Sequence, residues 1–155
     1  MILAIDVGNT HIVIGGFREG EIVFTARIAT DHLKTEDDYA AKLRSILEIY
    51  DVTKEEVEGA ILSTVVPALG SVLQDAVERL THQRPMLVNS DMDIGVTIRM
   101  DEPKRIGSDL LVDAAAAVAE YPCPMLIFDM GTATTVTAID RNGDYIGGKI
   151  GRAHV

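Results

Sequence analysis

Two aspartates stand immediately ahead of glycine-containing turns, Asp6 in the stretch DVGNT and Asp129 in DMGTATT. Such a turn leaves backbone N–H groups free, and glycine, lacking a Cβ, lets phosphate oxygens approach the main chain. A carboxylate beside it can hold a cation that bridges those phosphates. In one copy alone, the same residues are also what any tight hairpin prefers. Two copies in register carry more weight. Set without a gap from Ile2 and Met125, ILAIDVGNTHIVIGGFREGEI and MLIFDMGTATTVTAIDRNGDY share Leu3/Leu126, Asp6/Asp129, Gly8/Gly131, Val13/Val136, Arg18/Arg141 and Gly20/Gly143. This is the mark of a duplicated supersecondary unit. Two such hairpins facing one another across a cleft would embrace a nucleoside triphosphate from both sides.

A third acid, Asp109, follows Ser108 at the head of an alanine-rich segment. From the residues alone it reads as a helix cap, where a carboxylate satisfies orphan N–H groups and complements the dipole. His11, His32, His82 and His154 share no ligand-like spacing. The single cysteine, Cys123, lies between Pro122 and Pro124 and is expected to be a buried thiol in a reducing cytoplasm. The glutamates between Thr53 and Glu58 read as a solvated helical turn.

These residues need elements to position them. Apolar runs at Met1–Val7, His11–Phe17 and Glu21–Ala29, separated by turn chemistry, predict a three-stranded antiparallel meander. Thr35 with Asp38 three residues on resembles a capping box, ahead of Tyr39, Leu43, Ile46, Leu47 and Tyr50 at helical spacing. Ala60–Val66 is a β-branched run suited to a buried strand, and Pro67 suits the first turn of a helix through Leu80. A short strand is expected at Pro85–Asn89 and a helix at Ser108–Glu120, closed by YPCP. The order is βββαβαβα, an α/β domain over residues 1–121. The opening meander of a second, truncated copy follows over 122–149.

The 155 residues, 47% hydrophobic and 25% charged, suffice for one good core. A net charge of -10 with no basic cluster repels a phosphate backbone and argues against a nucleic-acid partner. No apolar run is long enough to span a bilayer, and no secretory signal is expected.

The three stretches MILAIDVGNTHIVIGGF, RIGSDLLVDAAAA and FDMGTATTVTAID, the last followed by GDYIGGKI, resemble type III pantothenate kinases over Met1 to about Lys149. The resemblance implies a ribonuclease H-like fold of the actin-like ATPase superfamily. It further implies transfer of the ATP γ-phosphate to pantothenate, giving 4'-phosphopantothenate in the first step of coenzyme A synthesis, by a cytoplasmic homodimer. Magnesium and a monovalent cation, potassium or ammonium, would be the cofactors. Carried over by position, Asp6, Val7, Gly8, Asn9, Thr10, His11, Ile12 and Val13 form the first phosphate loop, with Asp6 near magnesium. Thr132 would contact ATP, and Asp129 would be the monovalent-cation ligand. Gly107, Ser108, Asp109 and Leu110 would contact pantothenate, as would Met100. Asp109 would be the general base, which replaces the capping reading; a carboxylate fixed at a helix start can serve both ends.

Some positions depart from the family. Ser108 and Leu110 stand where alanine and arginine are common, and Met100 stands where a tyrosine is expected. Leucine cannot pair with an anion as arginine can. The second repeat stops after its meander, so this chain by itself is expected to have little or no kinase activity. Residues 150–155, IGRAHV, match the in-frame translation of an adaptor-like DNA, ATCGGAAGAGCACACGTC, and are expected to be a non-native tail. Two alternatives remain from the sequence: a kinase for another small hydroxylated substrate, or a non-catalytic nucleotide-binding regulator of the same fold.

Overall fold

The computed structural model describes residues 1–131 and 133–152, which belong to two compact units, Met1–Val88 and Asn89–Val155. In the first, β1 (Ile2–Val7) buries Leu3, Ile5 and Val7 and exposes Ile2 and Asp6. That is the period-two pattern of a strand covered on one face. β2 (His11–Arg18) and β3 (Glu21–Ala29) continue it as the expected antiparallel meander. β4 (Gly59–Thr64) runs parallel to β1, and a two-residue β5 (Met86–Leu87) parallel to β4, giving the order β3-β2-β1-β4-β5.

Two helices complete this unit. α1 (Glu36–Ile49) starts at the capping box, where the Asp38 amide donates to Thr35 Oγ1 at 3.4 Å and the Thr35 amide to Asp38 Oδ2 at 3.0 Å. α2 (Pro67–Thr81) has Pro67 in its first turn and ends at His82, which takes the left-handed φ of 61°. Tyr39, Leu43 and Leu47 of α1 and Leu69, Leu73 and Val77 of α2 pack with Leu3, Ile5, Val7, Ile12, Ile14 and Leu62 in one core. The amino terminus is drawn in as well. The Met1 ammonium donates to the Glu56 carbonyl at 2.8 Å and pairs with Glu58 at 3.1 Å, while Arg18 bonds the Glu56 carboxylate. The glutamates of this turn are therefore tied to the start of β1 and the end of β2.

The second unit holds α3 (Ser108–Glu120) and an antiparallel sheet of β6 (Met125–Met130), β7 (Ala133–Ile139) and β8 (Tyr145–Arg152), in that order. Ala114 of α3 packs on Ile139 and Tyr145, with Ile98, Ile106, Val118, Met125 and Ile127 around them. Asp144, buried in the β7–β8 turn, is bonded by Arg99. Cys123 is half-buried, not buried, because it sits in the short link between α3 and β6 with exposed Pro122 and Pro124 on either side. The opposite face of β6 is open: Leu126, Phe128 and Met130 are 62%, 57% and 80% exposed.

The repeat is visible in the two meanders, with one adjustment. Asp6 pairs with Val13, but Asp129 pairs with Thr135. The turn after β6 is one residue shorter, so Thr135, not Val136, is the spatial counterpart of Val13. A one-residue change of register turns every side chain of a strand to the other face. Here it is reversed at the next turn, where residues 18–21 separate the Phe17–Ile22 pair but residues 140–144 separate the Ile139–Tyr145 pair. Gly20 and Gly143 then coincide again, at φ 84° and 85°, a conformation that glycine adopts without steric cost.

Three carboxylates in turns and caps are held below their ordinary range by N–H donors. The Thr35 amide lowers Asp38, the Thr53 amide lowers Glu56, and the Asp144 amide, followed by that of Asn142, lowers Asp140. A depressed folded-state pKa stabilises above the unfolded value and is lost as pH falls through the folded one. The melting temperature is therefore expected to fall on acidification below the ordinary values of 3.8 and 4.5. An Asp38→Asn chain followed by calorimetry should show a flatter acid limb; an unchanged limb would remove the Asp38 part of this account.

Candidate functional site

The first acid–glycine turn closes the β1–β2 hairpin at the end where β1 and β4 terminate. Asp6 is the penultimate residue of β1, in register with Val13 on one side and Ser63 of β4 on the other. Asp6, Asn9, Thr10 and His11 are exposed, Gly8 and Val13 half-buried, and Val7 and Ile12 fully buried. The turn is closed by the Gly8 amide donating to the His11 carbonyl at 2.9 Å. A Cβ at Gly8 would come within 3.1 Å of that oxygen, so the close approach of backbone to backbone requires glycine there. The eight residues expected to form a phosphate loop thus divide into an exposed rim and two core anchors, Val7 and Ile12. Open ends of parallel strands are where ligands bind in α/β sheets.

One residue of this turn's surroundings escaped the sequence reading. Thr30, just beyond β3, donates its hydroxyl to the Gly8 carbonyl at 2.6 Å and its amide to the Thr10 carbonyl at 3.0 Å. Only the pairing of β2 with β3, which sets His11 opposite Ala29, brings Thr30 there.

In the second unit the two expected acids stand on different elements, Asp109 on α3 and Asp129 on β6. Four residues, 121–124, link the end of α3 to the start of β6, and Val118 lies near Gly143 of the β7–β8 turn. Asp109 lies in the first turn of α3, away from that link, and Asp129 is the penultimate residue of β6. The half-buried Asp129 carboxylate sits by the second turn: a Cβ on Gly131 would lie 3.8 and 3.9 Å from its two oxygens. Thr135, buried and paired with Asp129, is its neighbour on the same face. A carboxylate and a hydroxyl at a strand end fit an oxygen-ligated cation. Thr132 and His154 lie outside the described residues.

Gly107 takes the N-cap position of α3 without a side-chain cap, and Asp109 falls in the first turn. Asp109 Oδ1 accepts from the Leu110 amide at 2.9 Å. A Cβ on Gly107 would lie 2.3 Å from that same oxygen. The glycine therefore leaves the space in which the Asp109 carboxylate rests. Ser108 and Leu110 are buried. Met100 is at the edge of exposure, in an open depression lined with Arg99, Asp101, Glu102, Arg105 and Ile146. Gly107→Ala must swing the carboxylate away, and a misplaced catalytic group costs up to about 100-fold in rate. If Asp109 does chemistry, turnover should fall with the ATP KM unchanged; an unaltered turnover would show that this rest position is irrelevant.

No helix among the described residues is long and apolar enough to cross a membrane. The described residues also contain no group of three or more His, Cys, Asp or Glu side chains placed to hold a metal on their own.

Against known proteins, the family model for type III pantothenate kinase matches residues 2–151. Proteins named type III pantothenate kinase from Finegoldia magna and from an Exiguobacterium species are 39% and 41% identical over 150 residues, covering 97% of this chain. The chain spans 57% and 59% of those relatives' own lengths. Among solved structures, the activator of the 2-hydroxyisocaproyl-CoA dehydratase from Clostridium difficile, which holds ADPNP, superposes with a TM-score of 0.57 at 12% identity. That match covers 98% of this chain and 46% of the activator. At that identity the likeness is one of fold, the actin-like ATPase fold that the family resemblance implied.

Proposed function

This chain belongs to the type III pantothenate kinase family, and from that premise we propose that it serves the ATP-dependent phosphorylation of pantothenate to 4'-phosphopantothenate. What supports the reading is the Asp109 carboxylate held in the first turn of α3, its Oδ1 accepting from the Leu110 amide at 2.9 Å in the space that Gly107 leaves open. The acceptor is a primary hydroxyl. Asp109 accepts its proton as the oxygen forms a bond to the γ-phosphorus, while the bond from that phosphorus to the β–γ bridging oxygen breaks and ADP departs. Gly107, Ser108, Leu110 and Met100 shape the pantothenate end. Residues Asp6 to Val13 cradle the phosphates from one loop, and Thr132 contacts ATP from the other.

Charge neutralisation of the phosphates is what magnesium held near Asp6, and potassium or ammonium held by Asp129, supply when bound. The homologous halves divide in this reading at 121/122, with 122–149 opening the second half and 150–155 a non-native tail. The functional form is a cytoplasmic homodimer. Leu110 and Met100 weaken the pantothenate end relative to the arginine and tyrosine expected there, so affinity for the acceptor is where this protein departs most from its family.

The test is a coupled ATP assay with pantothenate, run on this 155-residue chain and on a chain extended from its source genome to the relatives' length. Pantothenate-dependent turnover is expected from the longer chain and little or none from the shorter. Turnover by the longer chain only with another hydroxylated acceptor would replace pantothenate. Nucleotide binding without transfer to any acceptor would favour a regulator.

A further inference from the structure

We propose that Thr30 is a positioning residue for the first phosphate loop, holding it from the side of β3 in the shape that presents its free amide to a phosphate; this rests on the kinase reading of that loop. A planar trans peptide points its carbonyl and the following N–H in opposite directions. The Thr30 hydroxyl takes the Gly8 carbonyl at 2.6 Å, so the Asn9 N–H, which shares that peptide unit, is turned away from Thr30. No acceptor for the Asn9 amide is found among the described residues. The Thr30 amide meanwhile fixes the Thr10 carbonyl at 3.0 Å, so both sides of the Asn9–Thr10 pair are pinned by one residue.

A second restraint on the turn is the Gly8–His11 bond, which closes the loop through the Gly8 amide and not through the Gly8–Asn9 peptide. The hydroxyl of Thr30 sets the tilt of that peptide. Thr30 is half-buried and touches the ligand in none of this; it acts through Gly8 and Thr10. The orientation it enforces matters because an anion site made of backbone donors depends on where those donors point before the ligand arrives.

The experiment uses the chain extended from its source genome to the relatives' length, with Thr30→Val, which keeps the branched shape and removes the hydroxyl, and Thr30→Ser, which restores it. Amide shifts of Gly8, Asn9 and Thr10 are followed by NMR, free and during titration with Mg–ATP, alongside the melting temperature. Loss of one such bond is expected to weaken Mg–ATP binding about tenfold in Thr30→Val, with the wild-type value recovered in Thr30→Ser. A merely structural role would lower the melting temperature and leave the affinity alone, and equal affinity in the valine variant overturns the proposal. If the wild-type loop amides ignore Mg–ATP, the kinase reading of this loop falls instead. The positioning role is then judged on the free chain: Asn9 and Thr10 shifts altered by valine and restored by serine support it, and unaltered shifts overturn it.

Discussion

Asp109→Asn should cut pantothenate turnover by about 10²- to 10⁴-fold, the usual worth of a positioned general base, while Mg–ATP binding and folding stay near wild type. The magnitudes separate this from a capping role. Asparagine is nearly the same shape, and its carbonyl oxygen can accept the Leu110 amide as Asp109 Oδ1 does at 2.9 Å. What it loses at the helix start is the charge–dipole term, about 0.3–1 kcal/mol. Gly107 holds the N-cap position with no side-chain cap, so Asp109 is not the residue on which the first turn of α3 depends. A structural carboxylate would therefore show a small drop in melting temperature and no kinetic effect. A catalytic one would show the reverse. The measurement is kcat and the ATP dissociation constant for both proteins in the chain of the relatives' length, with the melting temperature as control. Equal turnover would return Asp109 to the helix dipole and leave the phosphorylation step without a base.

Leu3→Ala should destabilise the 155-residue chain by about 2–5 kcal/mol, whereas Leu126→Ala, at the matching position of the repeat, should cost less than about 0.5 kcal/mol. The two leucines are interchangeable in sequence. Leu3 is 1% exposed beneath α1 and α2, with Ile5 and Val7 beside it. Leu126 is 62% exposed, as are its companions Phe128 and Met130 at 57% and 80%. Truncating a buried leucine forfeits its transfer free energy and leaves a cavity, while truncating an exposed one forfeits neither. An open apolar face flanked by strand edges also favours association. The chain should therefore sediment with a concentration-dependent mass that Phe128→Lys reduces. Urea melts of the two alanine variants decide the first point; comparable losses would mean that the open face of β6 is covered in solution.

The core rows of the first unit were legible because they follow from alternation and helical period. Leu3, Ile5 and Val7, and Tyr39, Leu43 and Leu47, are spaced as a strand and a helix require. The capping box at Thr35 and the stop at YPCP were equally local. Cys123 is half-buried where burial is expected, because residue type predicts burial only on average, and its place in a link between two elements is a tertiary matter. The match of Val13 with Val136 failed for a related reason. Identity along an ungapped alignment cannot register a turn shortened by one residue and a later turn lengthened by one.

By itself the sequence determined which acids stand at strand ends beside glycine turns, because backbone geometry restricts those turns to few residue types within a few positions. Only the folded chain decided that Thr30 clamps the Gly8 and Thr10 carbonyls, that Thr135 stands beside Asp129, and that Gly107 makes room for the Asp109 carboxylate. It also decided that Leu126 is bare where Leu3 is buried. Each of these depends on strand register or on which helix covers which face, quantities set by contacts between distant segments and so absent from any local pattern of residues.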